Sequence, residues 1–530
     1  MALALGAQAS EGDPGSSLLS LPLDMQTYLL SFVAPLDILH LRMTCRSFYN
    51  IASQQIVWIE ALRQICLANA IFLPTFPLDE MTVPELEHAA MAPYKWLALG
   101  YVGDGSGTRT SVGTHRIRNL SPVEASLHSD EMDPPEEDDF EVRSLFLVPG
   151  GRFLVTFSWR WICVWDLGFA TPESSGSPIQ NDTDVSEPIA KVKVDLHSMH
   201  LVHASPDGQS LRIFVSCPTY ANDQKLTDVL HVFEIYPQHE DAELNLIGRL
   251  DVVVLKIWNF KTNGWTSWTV QGGFQQAIVT PTLVLLIHST AVSIWRIPRL
   301  MVNAPLFSFV NPTPQPPALN IPYSVSRPPG DDVYSGPSDW YSGTPLPITY
   351  DVATITSLDE MHLQRYEIVL TDEPPYATLV ETLAAVIPVR DDDDTLNLEP
   401  YRFCMDSLVA WWYETYTDTM NIYTGPVRAP QDAAGGSQRV LGVQTTAISA
   451  AGTASSFCPM SGRFAYLDDD DDSLQGVVVL DFLLPLGAMR SDNARPAAHP
   501  VELDNNLADS GRWMDDLTRW NANLYNPTQF

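Results

Sequence analysis

Lysine is nearly missing from this chain. Six occur in 530 residues, at Lys95, Lys191, Lys193, Lys225, Lys256 and Lys261. Lysine and arginine together total 30, against 64 aspartates and glutamates. The net charge of -34 excludes general binding to nucleic acid or to an anionic membrane surface, because phosphate would be repelled. Cysteine is sparse too. Cys45, Cys66, Cys163, Cys217, Cys404 and Cys458 are widely separated and form no Cys-x-x-Cys pair. That pattern argues against a disulfide framework or a zinc site and predicts reduced thiols in the cytoplasm or nucleus. No window approaches 18 consecutive apolar residues, so no transmembrane helix is expected. The opening MALALGAQAS has neither a basic n-region nor an apolar run long enough for a signal peptide.

Catalytic motifs are equally scarce. No GxSxG, HExxH, Walker A or GxGxxG stands in the context its chemistry requires. His197, His200 and His203 are three apart with Asp195 nearby, which are zinc-ligand residue types. The segment reads as loop running into strand, where that spacing does not align the rings. The aspartate runs at 391–394 and 468–472 lack the alternating ligands and turn glycine of a calcium loop and read as solvated loops. The expectation is therefore no metal, no cofactor and no catalytic residue.

What is present divides into two textures. The chain is long enough for two or three domains, and a hydrophobic content of 45% suits a globular fold. The stretch LPLDMQTYLLSFVAPLDILHLRMTCRSFYNIASQQIVW, residues 21–58, is dense in large apolar residues, with no glycine and only Pro22 and Pro35 as prolines. Over residues 21–63, Asp24, Asp37 and Glu60 balance Arg42, Arg46 and Arg63, so the whole excess negative charge lies elsewhere. Ser20 is placed to cap a helix with Pro22 and Asp24 in its early turn. Met25, Leu29 and Phe32 recur at helical spacing, and Leu30 and Val33 widen the apolar face. Pro35 ends that helix and opens a second, with Ile38, Leu39, Leu41 and Met43 on it. A third reads from about Cys45 to Ala52 and a fourth from about Ile56 to Ala68. Short helices that are apolar nearly all round are buried on more than one side. Either they cap their own domain or they meet a partner.

In that register the stretch resembles the F-box family along its full motif. The residues that carry the likeness are Leu21-Pro22, Leu29, Val33, Asp37-Ile38, Leu41, Cys45-Arg46, Ile51-Ala52-Ser53 and Trp58. Phe48 replaces the usual Trp and Ile51 the usual Leu, both with volume and apolarity kept. The resemblance implies docking onto the Skp-type linker protein of a Skp–cullin–F-box ubiquitin ligase, and through it onto a cullin. The residues it implies for that surface are Leu21, Pro22, Met25, Leu29, Val33, Ile38, Leu39, Cys45 and Trp58. In that setting Cys45 is a packing residue, not a nucleophile.

Residues 1–17 read as a disordered tail, 18–69 as the F-box, and 70–100 as a linker. The linker carries a short helix from Pro84 to about Met91, with a Thr82–Glu85 capping box at its start and Pro93 as its stop. This layout resembles that of the numerous F-box proteins of mushroom-forming fungi. From about residue 101 onward short strands take over. GGRFLVTFSWRWICVWDLG gives two strands around a turn between Arg152 and Leu167. The endings VWDL, VFEI and IWRI are about 62 to 68 residues apart, and VLDF follows after close to three such steps. ICVWDL resembles the closing strand of a WD-type repeat. Recurring strand–turn–strand units predict a β-propeller of six to eight blades, with six visible, and a β-sandwich as the alternative. Trp159, Trp161, Trp165, Trp295, Trp411 and Trp412 are expected to fill blade interfaces. The Pro- and Gly-rich stretch from Asn311 to Pro347 is too irregular for a blade.

The expected molecule is thus multidomain: a small all-α F-box followed by an all-β substrate-binding region. Its expected role is that of a non-catalytic receptor that recruits a protein substrate, and the acidic body favours a basic one. The rivals are an F-box scaffold acting outside a ligase and a propeller enzyme.

Overall fold

A computed structural model describes residues 21–101 and, between 116 and 483, the strands with their shorter connections. Residues 1–20, 102–115, 121–141, 169–186, 303–316, 323–331, 336–347, 389–401, 427–438, 444–453 and 484–530 lie outside the description, as do several shorter segments. The disordered tail, the Ser20 cap, the aspartate run at 391–394 and most of the Pro- and Gly-rich insert therefore fall outside it, as do Asp195, His197 and residues 469–472. The described parts of that insert correct the expectation of irregular structure: Leu319–Pro322 and Asp332–Ser335 are short strands, each paired antiparallel into a four-stranded sheet. The described chain divides into two compact units: residues 21–66 with 76–91, and residues 67–75 with everything from 92 onward.

The first unit is helical. Helix α1 spans Leu23–Leu30, α2 Pro35–Thr44, α3 Arg46–Ala52, α4 Gln55–Ala68 and α5 Val83–Tyr101; the last two residues of α4 and the part of α5 from residue 92 onward belong to the second unit. Pro22, not Ser20, is the N-cap residue of α1, and no side chain caps that helix. Asp24 in the first turn supplies favourable charge at the helix start. Pro35 opens α2 at its first position, where its missing N–H costs nothing. Thr82 and Glu85 form the expected box before α5, with the Thr82 N–H and hydroxyl both donating to the Glu85 carboxylate at 2.7 Å.

Pro93 does not stop α5, which runs on to Tyr101. A proline inside a helix removes one hydrogen bond and crowds the preceding turn. Tertiary packing outweighs that here. Trp96, one turn further on, is fully buried, 4.8 Å from the Phe457 ring and 6.0 Å from the Phe482 ring by centroid.

The second unit is built of strands. In chain order they are β1 (Arg116–Leu120), β2 (Val142–Leu147), β3 (Phe153–Ser158), β4 (Trp161–Asp166), β5 (Ala190–Lys193), β6 (His200–Ala204), β7 (Leu211–Tyr220), β8 (Leu226–Ile235), β9 (Asn245–Asp251), β10 (Leu255–Asn259), β11 (Gly264–Trp268), β12 (Gln276–Val279), β13 (Leu283–Ile287) and β14 (Ala291–Arg296). There follow β15 (Met301–Val302), β16 (Leu319–Pro322), β17 (Asp332–Ser335), β18 (Ile348–Ser357), β19 (Glu360–Leu370), β20 (Ala377–Pro388), β21 (Arg402–Cys404), β22 (Ser407–Glu414), β23 (Thr419–Pro426), β24 (Arg439–Val443), β25 (Ser455–Cys458), β26 (Arg463–Asp468) and β27 (Gly476–Asp481).

Among the described residues they pair into seven antiparallel sheets, six of four strands and one of three. Five are meanders of consecutive or nearly consecutive strands: β2–β5, β6–β9, β12–β13–β14–β16, β17–β20 and β21–β24. The three-stranded sheet is β10–β11–β15. The seventh joins the two ends of the strand region, in the order β1–β27–β26–β25. Seven separate small sheets are the propeller pattern and not a two-sheet sandwich. Between the VFEI and IWRI endings lie strands of two short sheets, where the spacing predicts one; this is why six repeats are visible and seven sheets form.

The core lies between neighbouring sheets. Phe153, Val155, Phe157, Ile162 and Val164 of the β2–β5 sheet pack with Leu211, Ile213, Val215, Phe233 and Ile235 of the β6–β9 sheet. Phe72, ahead of the sheets in sequence, enters the same cluster. A second cluster joins Leu285, Ile287, Val292 and Ile294 to Tyr350, Val352, Tyr366 and Ile368. Strands buried on both faces read as continuous apolar runs, as FLVTFS does in β3.

Candidate functional site

The helical unit holds itself together with few polar ties. Arg42 on α2 makes a two-pronged pair with Glu87 on α5, at 2.7 and 3.1 Å. The Thr27 hydroxyl on α1 donates to the Gln54 side chain at 3.3 Å, Gln55 donates to the Met81 carbonyl at 2.9 Å, and the buried Trp58 indole donates to the Ala52 carbonyl at 2.7 Å. Around these, Leu30, Ile38, Leu39, Ile51, Val57, Trp58 and Leu62 are enclosed.

The rest of the apolar surface is not enclosed. Helix α1 buries only Gln26 and Leu30. Leu23 is 57% exposed, Met25 46%, Tyr28 60% and Leu29 39%, and Phe32, just past the helix end, is 69% exposed. Met25, Leu29 and Phe32 follow at four- and three-residue steps and so share a helix face. Tyr28 and Phe32 pack edge to face with centroids 4.9 Å apart, which stiffens that face at low entropic cost. Met43, Tyr49 and Ile56 add further exposed apolar side chains on α2, α3 and α4. Single exposed hydrophobes are ordinary; eight large ones in one small unit are the mark of a binding surface.

The residues that the sequence assigns to this surface divide accordingly. Pro22, Met25 and Leu29 are exposed, and Leu21, Val33 and Cys45 are half-buried. Ile38, Leu39 and Trp58 are 0%, 1% and 0% exposed and stand in the core, where they set the angles between helices. Leu23, Tyr28, Phe32, Met43, Tyr49 and Ile56 are the exposed residues that sequence reasoning left off the surface. The signal for them was the breadth of the apolar pattern: a helix apolar on all sides must leave some sides outward.

Cys45 is the N-cap residue of α3, with extended backbone angles. Its sulfur closes no capping bond, but the Phe48 and Ser47 N–H groups nearby lower the thiol pKa despite an opposing desolvation effect. Burial acts the other way in the strand unit. It pushes the Cys163 thiol up to about 12 and raises that of Cys404 further.

In the strand unit the tryptophans separate into two groups. Trp165 and Trp295 are buried as expected, and the Trp165 indole donates to Thr156 Oγ1 at 3.0 Å. Trp159 is 38% exposed and Trp161 half-buried, so neither fills an interface between sheets. Trp159 lies in the two-residue β3–β4 turn, and Trp161 is the first residue of β4, paired with Lys193 of β5. The side chains of Trp411 and Trp412 lie outside the description. Among the described residues no cluster of three or more His, Cys, Asp or Glu could hold a metal ion, and no helix is long and apolar enough to cross a membrane. His200 and His203 both lie on β6.

Residues 18–60 match the family model of the F-box domain. No curated protein matches the chain. Among solved structures, the chain is similar to the WD40 domain of SCAP from fission yeast, at 10% identity over 64% of this chain and 84% of that one, with a TM-score of 0.29. It is also similar to the N-terminal domain of Nup159, at 11% identity over 71% and 99%, with a TM-score of 0.25. A third is Drosophila Plexin A in complex with Semaphorin 1b, at 7% identity over 71% and 88%, with a TM-score of 0.29.

Proposed function

We propose that this chain is a substrate receptor of a Skp–cullin–F-box ubiquitin ligase. An F-box domain suggests that role in general. The observation that carries the reading is the exposed face of α1, where Met25, Leu29 and Phe32 stand outward in a unit whose residues 21–63 have no net charge. Such a face gains from apolar burial and not from charge attraction; each Leu or Met buried against a partner contributes roughly 1.5–3 kcal/mol. A few central anchors of this kind supply most of the affinity of an interface.

In this role the helical unit docks on a Skp-type linker protein, which bridges it to a cullin, and the strand unit presents a surface to the substrate. The chain contributes no catalytic group; ubiquitin chemistry belongs to the partner subunits. The place of action is the cytoplasm or nucleus. The -34 charge, carried outside residues 21–63, favours basic substrates on the body as a whole.

Titration calorimetry with a purified Skp-type linker tests this. The full chain is expected to bind at or below micromolar concentration. Deleting residues 20–63 should abolish binding, and the double change Met25→Ala with Leu29→Ala should weaken it about a hundredfold, since a truncated anchor costs on the order of 2 kcal/mol or less. An intact chain that shows no binding to the linker sinks the reading. Binding to the linker without recovery of a cullin in the same complex would leave a scaffold outside a ligase in its place.

A further inference from the structure

Two of the exposed apolar side chains of the helical unit are methionines, and the burial of methionine sets them apart from the rest. The chain has 14 methionines, of which Met25, Met43, Met81, Met91, Met405 and Met460 have described side chains. Met81, Met91 and Met460 are enclosed, at 7%, 1% and 4% exposure. Met405 is half-buried, and its sulfur accepts from the Asn69 side chain at 3.5 Å. Met25 and Met43 are 46% and 51% exposed, and both lie in the first unit. Met25 stands on α1, on the outward face it shares with Leu29 and Phe32, and Met43 near the end of α2. Leucine and phenylalanine side chains are inert to mild oxidants; a thioether is not.

A thiol must lose its proton before it reacts, so its rate follows its pKa. A thioether has no proton to lose, and its rate follows the access of the oxidant to sulfur. Exposure therefore orders the described methionines, with Met25 and Met43 first and Met81, Met91 and Met460 last. The step itself is simple. A lone pair on the Met25 or Met43 sulfur attacks one oxygen of hydrogen peroxide. The S–O bond forms as the O–O bond breaks, and the proton on the attacked oxygen passes to the departing hydroxide, which leaves as water. Sulfur gives up two electrons and the peroxide takes them. The product is a neutral sulfoxide, polar and chiral where the thioether was apolar and flexible. In water its oxygen is hydrogen-bonded. Against an apolar partner surface that oxygen is stripped of water, and the desolvation opposes docking. The penalty is of the same order as the gain from burying the thioether, so one added oxygen cancels an anchor.

We propose that Met25 and Met43 are a redox modification site, at which a hydroperoxide converts the thioethers to sulfoxides and so releases the helical unit from its linker protein. The inference rests on the docking proposed above and adds its regulation. The modification is reversible. Methionine sulfoxide reductases, one for each sulfoxide epimer, restore the thioether; the sulfoxide oxygen leaves as water while a dithiol is oxidised to a disulfide. The face suits such a switch because it carries no net charge over residues 21–63. Its affinity comes from apolar burial, the contribution that a sulfoxide removes, and no long-range charge attraction compensates for the loss.

The full chain is treated with graded hydrogen peroxide, quenched and then reduced with dithiothreitol. That reductant returns oxidised thiols such as Cys45 to their starting state and leaves methionine sulfoxide in place. Peptide mass spectrometry reads the oxygen gained at each methionine, and titration calorimetry reads the affinity for an untreated, purified Skp-type linker. Met25 and Met43 are expected to gain oxygen ahead of Met81, Met91 and Met460. Affinity should fall by about tenfold or more while the thermal melt stays that of the untreated chain, since both side chains are exposed. Incubation with reductases for both epimers should restore it, a test that needs no substitution. Met25→Leu with Met43→Leu is compared with its own untreated affinity and should lose none of it at the same peroxide dose. The switch is overturned if the enclosed methionines oxidise as early, if full conversion at both positions leaves binding unchanged, if the reductases restore nothing, or if the leucine variant loses as much affinity as the parent. An untreated chain that does not bind the linker overturns the docking and the switch together, so the two failures are told apart.

Discussion

At the scale of the residue, the apolar side chains of the helical unit do two different jobs, and burial separates them. Trp58 is fully enclosed and its indole is satisfied by the Ala52 carbonyl. Trp58→Ala removes a large ring and leaves a cavity, which costs about 3–5 kcal/mol. Circular dichroism should show the helices melting early, with linker binding lost only because the unit no longer folds. Phe32 is 69% exposed, so Phe32→Ala should leave the melt within about 0.5 kcal/mol of the parent while weakening linker binding tenfold or more. If the two variants behave alike, the outward face is not an interface. The thiols give a second residue-scale test. With its pKa lowered by neighbouring N–H groups, Cys45 should be alkylated by iodoacetamide first near neutral pH, and Cys163 and Cys404 only on unfolding. Cys163 also ties stability to alkaline pH. Its thiol ionises at 9.0 when exposed and near 12 in the fold, so the unfolded chain releases a proton that the folded chain keeps. Stability should therefore fall as pH rises from about 9 toward 12; if Cys163→Ala loses its denaturation midpoint across that window as steeply as the parent, this is contradicted.

At the scale of the element, the local chemistry of helices and turns was legible and tertiary overrides were not. The Pro35 start of α2 and the Thr82–Glu85 box follow from backbone rules that act within four residues. The extension of α5 past Pro93 depends on Phe457 and Phe482, more than 350 residues on, and no local pattern announces it. The strand endings VWDL, VFEI and VLDF were visible as repeats. Their partners were not: Arg152–Asp166, Arg212–Glu234 and Arg463–Asp481 each tie the second strand of a sheet, or for Arg152 the residue just before it, to the third at 2.7, 2.8 and 2.5 Å. The arginine stands 14, 22 and 18 residues before its acid, an offset too variable to read as a motif. The packing of the segment between the helices and the sheets is likewise set by residues distant in sequence. The segment 67–75 belongs with the strands: Phe72 lies in their core, the Phe72 N–H donates to the Pro149 carbonyl at 3.1 Å, and the Met405 N–H donates to the Asn69 side chain at 2.6 Å. A body begun at residue 94 lacks all of this. It should melt lower than one begun at residue 67, and Phe72→Ala in the full chain should cost about 3–5 kcal/mol. Equal melts for the two fragments would show that the segment contributes nothing to the sheets.

At the scale of the whole strand unit, the decisive feature is one that no periodicity reveals. Six sheets are made from strands close in sequence, but the seventh takes β1 from the beginning of the region and β25 to β27 from its end. Local sheets form by short loop closures; this one must hold segments some 360 residues apart, and it is the only described pairing of that span. It is also tied to the next sheet. The Leu147 N–H donates to Ser456 Oγ at 3.0 Å, the Gly150 N–H to the Cys458 sulfur at 3.3 Å, and Arg463 reaches the Gly151 and Gly168 carbonyls. Gly151 has a φ of +74°, and a Cβ there would overlap the Ser461 side chain, so the turn and its packing both require glycine at this position. If stability in stacked sheets is a sum of neighbour terms, breaking this sheet should release both ends of the unit together. Val479 in β27 pairs with Arg118 on one side and Ala465 on the other. Val479→Pro removes a ladder donor from the middle of the sheet and should lower the denaturant midpoint sharply, with proteolytic cleavage appearing near both β1 and β25. Val192→Pro is the matched control, since among the described residues β5 pairs only with β4 and prolines are tolerated best on outer strands. Its midpoint should drop less, and its cleavage should stay near residues 187–194. Equal midpoints for the two variants, or cleavage at one end only in Val479→Pro, would mean that the sheets hold independently of the pairing that joins the ends.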